Sequence, residues 1–485
     1  MKKSLLFVHK WLGIALALLF LVWFASGMVL YFVPFPSLSP AAKLAGMPLL
    51  AVDDDCCLTA QQAAARNGFD FAQARLGMNG ANPVWRLLRT APDQRWIAVD
   101  ARTGAPVPAL TAKQAMAMAA AFSGRRAVHA EALERDQWTV AQGFNPYRPL
   151  LRVELDGDDG LELYVSPGAA DVVGATRRAE RAWNWVGAIP HWIYFTELRR
   201  WPERWHHVVV WLSLPGVLLA ATGLALGIWQ LFLNRSRWIP YRVFWMRWHH
   251  MLGLAAGVVT LTWILSGLMS MNPFNVFSPR GATADEQQRW TGPAAAARLN
   301  PAAAARLAPP LAAREVESLG FNGQAWYRVR GVDATLLVRA DGGPDNTALA
   351  ALPGADVRSA LTRLRRVAPR DLEQLTAYDD LYYAREHNAA QRQNRPLPVW
   401  RARWADGVTA YADPVSARLV LRTDASNRWQ RVLYNGLHSF DFAPLLARPW
   451  LRDALVVLLS LLGTAMSITA CVVAWRVLVP RRQRR

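Results

Sequence analysis

The sequence contains few cysteines and lacks the common nucleotide-binding motifs. Its 485 residues include three cysteines, and neither a dinucleotide-binding glycine fingerprint nor a phosphate-binding P-loop is present. We therefore expect no nucleotide to bind to the chain itself. Cys56 and Cys57 are adjacent, a spacing that disfavours a bridge between them. We expect these two cysteines to be free thiols in a surface loop, with no metal or redox role.

Charged residues are absent from four long apolar runs, apart from Arg476 near the end of the fourth run. A membrane-spanning helix requires about 20 mostly apolar residues, and the runs at 11–33, 208–233, 251–271 and 454–479 meet this requirement. Over the whole chain, 53% of residues are hydrophobic and 19% are charged. This mixture indicates an integral membrane protein whose spans are joined to soluble segments.

Acidic residues are also absent from three short segments that flank the runs. Lys2, Lys3 and Lys10 precede the first run, and arginines fill the 234–247 loop and the C-terminal tail. The positive-inside rule therefore predicts that both termini and this loop are cytoplasmic. The two long segments then lie outside the cytoplasm. Topology accounts for most of the net charge of +19, so nucleic-acid binding is not expected.

The predicted organisation alternates spans with external segments. The external segments carry hairpin signals at 96–107, 163–173 and 409–421, and Thr59 and Thr111 are suited to capping helices. We expect small α+β modules, two in each external segment, and a linker or an irregular insertion at 281–311. The predicted boundaries are 1–33 (first span), 34–205 (external), 206–233 (second span), 234–247 (cytoplasmic loop), 248–272 (third span), 273–452 (external), 453–479 (fourth span) and 480–485 (cytoplasmic tail).

The chain resembles itself at two offsets. An offset of 240 residues aligns His9 with His249 and the Ser-Gly pair at 26–27 with that at 266–267. An offset of 247 residues aligns His191 with His438 and also the threonines at 222 and 469. We infer an internally duplicated four-helix bundle. The repeated tetrapeptide Arg-Trp-His-His, at 204–207 and 247–250, is not part of this pairing.

The aligned histidines suggest a metal with two protein ligands at each end of the bundle. Zinc normally takes three or four protein ligands, whereas a haem iron needs only two axial ones. At the cytoplasmic end we predict that His9 and His249 ligate a haem b, with His250 as an alternative to His249. An ordinary interfacial role remains the alternative for any single histidine.

A second haem b is predicted at the outer end. The repeat favours His191 and His438 as its ligands, whereas proximity to the second span favours His207 or His206 opposite His438. Gly13 and Gly253 follow the inner histidines by one turn, and Gly27 and Gly267 follow them by 18 residues, or five turns, on the same face. These glycines could admit a porphyrin, or simply allow close helix packing.

Three motifs resemble those of a known family. They are Val99-Asp-Ala-Arg-Thr-Gly104, the tyrosine-rich stretch 378–387 and the stretch 434–442, Tyr-Asn-Gly-Leu-His-Ser-Phe-Asp-Phe. Together with the span starts they are similar to PepSY-domain proteins with PepSY-associated transmembrane helices. The resemblance implies PepSY-like periplasmic segments in a bacterial inner-membrane protein. Because the family includes ferric-siderophore reductases with two b-type haems, it also implies an oxidoreductase of the ferric-chelate reductase type.

On this interpretation, electrons from a cytoplasmic reductase or a quinol would reach a ferric siderophore or another ferric chelate outside the cytoplasm. Candidate substrate contacts are Tyr378, Asp379, Tyr382, Tyr383 and His387, although such stretches are often structural. Two other interpretations stay open: a non-enzymatic, membrane-anchored PepSY interaction or signalling protein, and a siderophore or metal permease. The permease is disfavoured because the spans lack intramembrane carboxylates and broken helices.

Overall fold

The computed structural model describes residues 2–53, 56–90, 92–233, 239–293, 295–308, 311–343, 346–385 and 394–479. The chain divides into two compact units. The bundle unit comprises Met1–Phe35, Glu180–Pro279 and Ser426–Arg485, and the sheet unit comprises Pro36–Ala179 and Arg280–Ala425.

Four long helices form the bundle unit. All four are long and apolar enough to cross a membrane, so the chain is a multi-pass membrane protein. Each helix begins before the apolar run that predicts it, because its hydrogen bonding continues into the polar residues that precede the run. The helices are span 1 (Lys2–Phe32), span 2 (Pro202–Leu233), span 3 (Phe244–Ser270) and span 4 (Pro449–Leu478).

Spans 1 and 3 lie at opposite corners of the bundle, because each packs against both span 2 and span 4. Leu16, Phe20 and Phe24 of span 1 meet Leu219 of span 2 and Ile264 of span 3 in an apolar layer. Glycine makes some of this packing possible. Phe24, for example, lies directly on Gly463 of span 4, where an added Cβ would collide with its ring. The centre of the bundle is therefore filled by side chains.

Short helical segments connect the spans within the bundle unit. Two precede span 2, and the segments before span 4 include a π-helical turn, a feature often found near functional sites. The segments are Ala188–Trp192, Thr196–Arg199, Pro273–Asn275, Arg431–Gly436 (the π-helical turn), Leu437–Ser439 and Ala443–Leu446. Arg178–Val186 and Ala425–Gln430 are helices at the boundaries between the units.

In the described residues of the sheet unit, the strands form three antiparallel sheets. Their strand orders are β10-β9-β8-β1-β2-β3, β4-β5-β6-β7 and β11-β12-β13-β14. The first seven strands are β1 Phe71–Asn79, β2 Asn82–Arg89, β3 Trp96–Asp100, β4 Ala127–Leu133, β5 Leu150–Leu155, β6 Glu162–Ser166 and β7 Asp171–Thr176. The other seven are β8 Glu315–Phe321, β9 Gln324–Arg330, β10 Thr335–Arg339, β11 Asp371–Leu375, β12 Val399–Arg403, β13 Thr409–Asp413 and β14 Arg418–Thr423.

The six-stranded sheet joins the two long segments of the sequence. Strands β1 and β8 pair antiparallel, with Arg75 opposite Glu317 and Leu76 opposite Val316. The expectation of two separate modules in each segment is therefore wrong, because one sheet takes three strands from each segment. The hairpins predicted at 163–173 and 409–421 are confirmed by the pairs β6–β7 and β13–β14. After β3, however, the partner strand is reduced to a single bridge between Val99 and Pro106.

Short helices cover the sheets. Thr59 and Thr111 cap Ala60–Ala65 and Ala112–Ser123 with reciprocal capping boxes, as predicted. Gly354–Arg363 packs on the sheet β11–β14. The remaining helices of this unit are Pro40–Gly46, Gln142–Tyr147 (a 3-10 helix), Ala284–Thr291 and Pro301–Arg306.

Two expectations for the sheet unit are wrong. The predicted linker at 281–311 contains two capped helices whose Trp290 and Ala302 are buried in sheet cores, since alanine allows a helix to approach a sheet closely. Cys56 and Cys57 are not free surface thiols. A disulfide joins them, both are buried in the core of the six-stranded sheet, and the Asn300 side chain accepts the Cys57 N–H at 3.1 Å.

Candidate functional site

Two histidines face each other near the start of spans 1 and 3. The ring centres of His9 and His249 lie 6.4 Å apart, with an interplanar angle of 35°. Each histidine stands within the second turn of its helix. The diagonal placement of these spans therefore brings the two rings together inside one end of the bundle.

Hydrogen bonds fix the orientation of both rings through Nδ1. His9 Nδ1 lies 3.3 Å from Leu219 O and 3.5 Å from the Thr222 hydroxyl. His249 Nδ1 lies 3.2 Å from the Thr469 hydroxyl, which donates its own proton to Met466 O at 2.6 Å and is therefore an acceptor for the histidine. A proton on Nδ1 leaves the Nε2 lone pair free for a metal.

A second histidine pair comes from the short segments Ala188–Trp192 and Leu437–Ser439 and contacts spans 1 and 3 farther along the bundle. The ring centres of His191 and His438 are 6.1 Å apart. His191 Nδ1 is 3.1 Å from Trp23 O of span 1, and His438 Nδ1 is 3.2 Å from Trp263 O of span 3. Trp23 follows His9 by 14 residues in the same helix, which is about 21 Å of helical rise. The two pairs are therefore near opposite ends of the bundle.

Serine hydroxyls beside these carbonyls also contact the two histidines of the second pair. Ser26 Oγ lies 3.4 Å from His191 Nδ1, and Ser266 Oγ lies 3.0 Å from His438 Nδ1. Ser26 and Ser266 are almost fully buried, at 2% and 0% exposure. As at the first pair, the contacts named here engage Nδ1 of both rings.

Glycines make room around both pairs. A Cβ on Gly27 would stand 2.8 Å from His191 Cε1, and one on Gly223 would stand 2.6 Å from His9 Cε1. Because glycine has no side chain, an imidazole ring can pack directly against each of these helices. At Gly253 a Cβ would meet no heavy atom within 4 Å, and at Gly13 it would meet only Leu219 Cδ1 at 3.8 Å. Open space thus lies beside the helix faces that carry His9 and His249.

The spacing of both pairs suits a metal with two axial imidazoles. A metal–imidazole bond is about 2 Å long and the ring centre lies about 1 Å behind its nitrogen, so two axial rings stand about 6 Å apart. The observed separations are 6.4 and 6.1 Å. Among the described residues, no group of three or more His, Cys, Asp or Glu side chains is arranged to hold a metal ion. The donor set at each end is thus a pair of imidazoles, and two axial ligands are what a haem iron requires of its protein.

A family model described as the PepSY-associated TM region matches residues 6–477. The chain belongs to this family. The match includes all four spans and both long segments between them. A comparison with curated proteins finds no match.

Three other candidate histidines of this PepSY-associated TM protein have ring contacts outside the two pairs. His206 and His207 lie in the first turns of span 2 with their ring centres 5.7 Å apart, and His207 is exposed. His250 is buried beside Tyr241, with ring centres 5.4 Å apart. His387 lies outside the described residues.

The tyrosine-rich motif of this PepSY-associated TM protein is largely internal. Tyr382 is fully buried, stacks on Tyr411 at 5.0 Å and donates to Pro396 O at 2.7 Å. Asp379 accepts the Tyr411 hydroxyl at 2.8 Å and pairs with Arg401 at 2.5 Å. Burial raises the pKa of Tyr382, and burial followed by the charge of Asp379 raises that of Tyr411. These groups hold the sheet β11–β14 together.

Two further members of the motif are less enclosed. Tyr378 is 40% exposed, and its hydroxyl donates to Arg395 O at 3.0 Å. Tyr383 is partly exposed. Of the predicted substrate contacts that the structure describes, Tyr378 is the one that is exposed.

Several residues around the histidines were not identified as functional from the sequence. Ser26, Ser266, Thr222 and Thr469 stand in the aligned positions, but alignment alone does not show that their side chains contact histidines. A buried arginine was also missed. Arg452 donates to the Tyr31 hydroxyl at 2.7 Å and lies 3.6 Å from the carboxylate of Asp441, three residues after His438.

Proposed function

We propose that the chain is a dihaem b-type membrane protein that passes electrons from the cytoplasmic side to a ferric chelate of the siderophore type in the periplasm. The observation that carries the proposal is the presence of two histidine pairs, 6.4 and 6.1 Å apart, at opposite ends of one helical bundle. On this proposal the chain is an oxidoreductase of the ferric-chelate reductase type.

Four histidines would hold the two cofactors. His9 and His249 would ligate the haem at the cytoplasmic end, and His191 and His438 would ligate the haem at the periplasmic end. When bound, haem supplies reversible one-electron exchange between Fe(III) and Fe(II). The protein supplies imidazoles held by Nδ1 hydrogen bonds, which fix the ring orientation and raise the basicity of the ligating nitrogen.

The contacts also support an internal duplication. His9 meets Thr222 of span 2, and His249 meets Thr469 of span 4. Likewise, Trp23 O lies within hydrogen-bond distance of His191 Nδ1, and Trp263 O lies within hydrogen-bond distance of His438 Nδ1. The residues of span 1 in these contacts differ from those of span 3 by 240 positions, and their partners differ by 247 positions. These are the two offsets found in the sequence. A duplicated ancestral unit of span, external segment and span accounts for this correspondence.

The placement in a membrane follows from charge. We propose a bacterial inner-membrane protein with both termini in the cytoplasm, because lysines crowd the start of span 1 and arginines flank spans 2, 3 and 4. The sheet unit would then lie in the periplasm. The electron donor would be a cytoplasmic reductase or a quinol.

A vesicle assay tests the proposed reaction. The full chain is reconstituted with haem into vesicles that enclose dithionite, and a ferric hydroxamate, a ferric catecholate or ferric citrate is added outside with a colorimetric Fe(II) trap. One electron from the enclosed dithionite should reduce each Fe(III) ion outside the vesicle, because the two histidine pairs lie at opposite ends of the bundle. We expect Fe(II) to appear with at least one chelate.

The control for this assay is the His9→Ala, His249→Ala double variant in identical vesicles, which should form Fe(II) no faster than protein-free vesicles. Equal rates for the two proteins would contradict the proposed route. So would the absence of Fe(II) with every chelate, provided that the spectrum shows fully loaded protein.

Two equivalent glycines offer a matched pair of variants at the outer histidines. Gly27→Ala places a methyl group 2.8 Å from His191 Cε1, a distance that forces the ring to move. Gly267→Ala places one 3.5 Å from His438 Cε1, an ordinary contact. We expect Gly27→Ala to lower the haem content or to shift the Soret band, and Gly267→Ala to resemble the wild type. Identical spectra for the two variants would show that Gly27 does not accommodate the His191 ring.

A further inference from the structure

A cavity of about 250 Å³ lies in the sheet unit, on one face of the six-stranded sheet. Its lining includes Gln73 and Leu88, and further contributions come from the 142–147 helix and from β14. The residues that give it chemical character are four arginines and two aromatic side chains: Arg75, Arg328, Arg330, Arg418, Trp96 and Tyr147.

Strand register brings the charges to this face. Across β1 and β8, Arg75 is opposite Glu317, and across β8 and β9, Glu317 is opposite Arg328 and Glu315 is opposite Arg330. Because side chains alternate along a strand, the intervening residues point to the other face. That face carries the apolar core. The sheet therefore gathers cations from two strands around the carboxylates of a third.

The carboxylates are too few to neutralise the arginines. Glu317 is 3% exposed and forms ion pairs with both Arg328 and Arg418. Glu315 pairs with Arg330 at 2.7 Å. Three guanidinium groups thus share two carboxylates. Asp171, whose charge also acts on Arg75, is already paired with Lys43 and Arg86. Among the residues that the structure describes, the buried Nε atoms of Arg75 and Arg328 have no hydrogen-bond partner. A buried cation without full compensation is costly, so an anion in the cavity would be stabilised.

The pKa of Arg328 reflects its burial first and its charged neighbours second. Burial lowers the pKa of Arg328, Glu317 opposes the decrease, and the neighbouring Arg418 and Arg330 add to it. The negative charge of an anionic ligand would offset the cost of burying the guanidinium group and reduce the repulsion between the arginines.

An aromatic stack holds one of the guanidinium groups in place. The Arg75 guanidinium carbon lies 4.1 Å from the centre of the Trp96 ring, and Arg75 Nη2 donates to the Tyr147 hydroxyl at 2.9 Å. Trp96 in turn stacks on Tyr147, with ring centres 5.7 Å apart and an interplanar angle of 9°. Such a stack keeps the planar guanidinium fixed, which reduces the entropy lost when it binds a ligand.

We propose that this cavity is a binding site for a small polycarboxylate. Guanidinium groups bind carboxylates with paired, charge-assisted hydrogen bonds. The arginines come from β1, β9 and β14, so they can engage several carboxylates of one molecule. The cavity of about 250 Å³ is smaller than the roughly 300–1,000 Å³ pockets that hold drug-sized ligands. The proposal goes beyond electron transfer and does not depend on haem binding.

Isothermal titration of the purified full chain tests the site, with citrate as the probe and inorganic phosphate as the comparison. Citrate should bind, and should bind more tightly than phosphate, because phosphate engages fewer arginines. Arg418→Gln removes a cation whose side chain is 49% exposed, so folding should persist. We expect it to weaken citrate binding by about tenfold or more, as for the loss of a hydrogen bond between charged groups.

Arg339→Gln is the matched control. Arg339 is in β10 of the same sheet, its side chain is 46% exposed, and it pairs with Asp341 outside the cavity. The Arg339→Gln variant should bind citrate as tightly as the wild type does. The proposal is overturned if citrate does not bind to the wild type, if phosphate binds as tightly as citrate, or if the two arginine variants weaken binding equally. Melting temperatures without citrate verify that both variants are folded.

Discussion

His191→Ala will remove one of two low-spin haem signals from the purified protein, whereas His207→Ala will retain both. The ring of His191 lies 6.1 Å from that of His438 and is held by Trp23 O and Ser26. His207 is exposed on span 2 and makes its ring contact with His206 instead. The absorbance of the reduced α band and the low-spin signals in electron paramagnetic resonance report the loss directly.

His438→Ala should give the same spectrum as His191→Ala, because on our proposal both histidines ligate the same iron. The remaining haem, at His9 and His249, should be unchanged in both variants. If His191→Ala keeps two low-spin signals while His207→Ala loses one, the outer ligand pair is His207 and His438 and our assignment is wrong.

The His9→Ala, His249→Ala double variant will lose the other haem and will no longer transfer electrons from the cytoplasmic side. Both imidazoles have their Nδ1 hydrogen-bonded and are spaced for a shared iron. With both ligands replaced, no imidazole of this pair remains to hold a haem. Half of the wild-type haem content should persist, since His191 and His438 are untouched.

His250→Ala is the matched control for this second prediction. His250 is adjacent to His249 and also buried, but its ring contact is with Tyr241. It should retain both haems. A double variant with the full wild-type haem content would refute the assignment of the inner pair, and a His250→Ala variant with half the content would transfer the ligand role to His250.

The sequence was sufficient to predict the four spans and the histidine alignment, because both depend on local or repeated patterns. Hydropathy identifies apolar stretches, so it placed the start of span 2 at position 206 or later. The helix begins at Pro202, since backbone hydrogen bonds do not require apolar side chains. The histidines at 9 and 249 could be aligned through their glycine neighbours, and their separation of 6.4 Å follows from how spans 1 and 3 are arranged across the bundle.

Contacts between distant segments could not be predicted. Pairing of β1 with β8 places Arg75 opposite Glu317, and these two residues are separated by about half of the sequence. The arginine-lined cavity depends on that pairing, so it was also missed. Likewise, Tyr382 and Asp379 suggested a ligand site by their residue types, but their burial and partners became evident only from the fold.

The cysteines illustrate a limit of local rules. Adjacent cysteines rarely bridge, and the prediction of two exposed thiols followed from that rule. In the structure, the packing of Ala60–Ala65 and Asn300 encloses both side chains, which are joined by a disulfide. The roles of Thr222 and Thr469 were hidden for a related reason, because an aligned threonine in a span is usually bonded only to its own helix.

The haem content of the purified wild-type protein tests the central claim most directly. The chain is produced in cells supplied with haem, and the pyridine haemochrome assay is combined with electron paramagnetic resonance of the oxidised protein. Two haems b per chain, both low-spin with two axial imidazoles, are the predicted result. A colourless protein, or one with a single haem or with high-spin iron at both sites, would contradict the account.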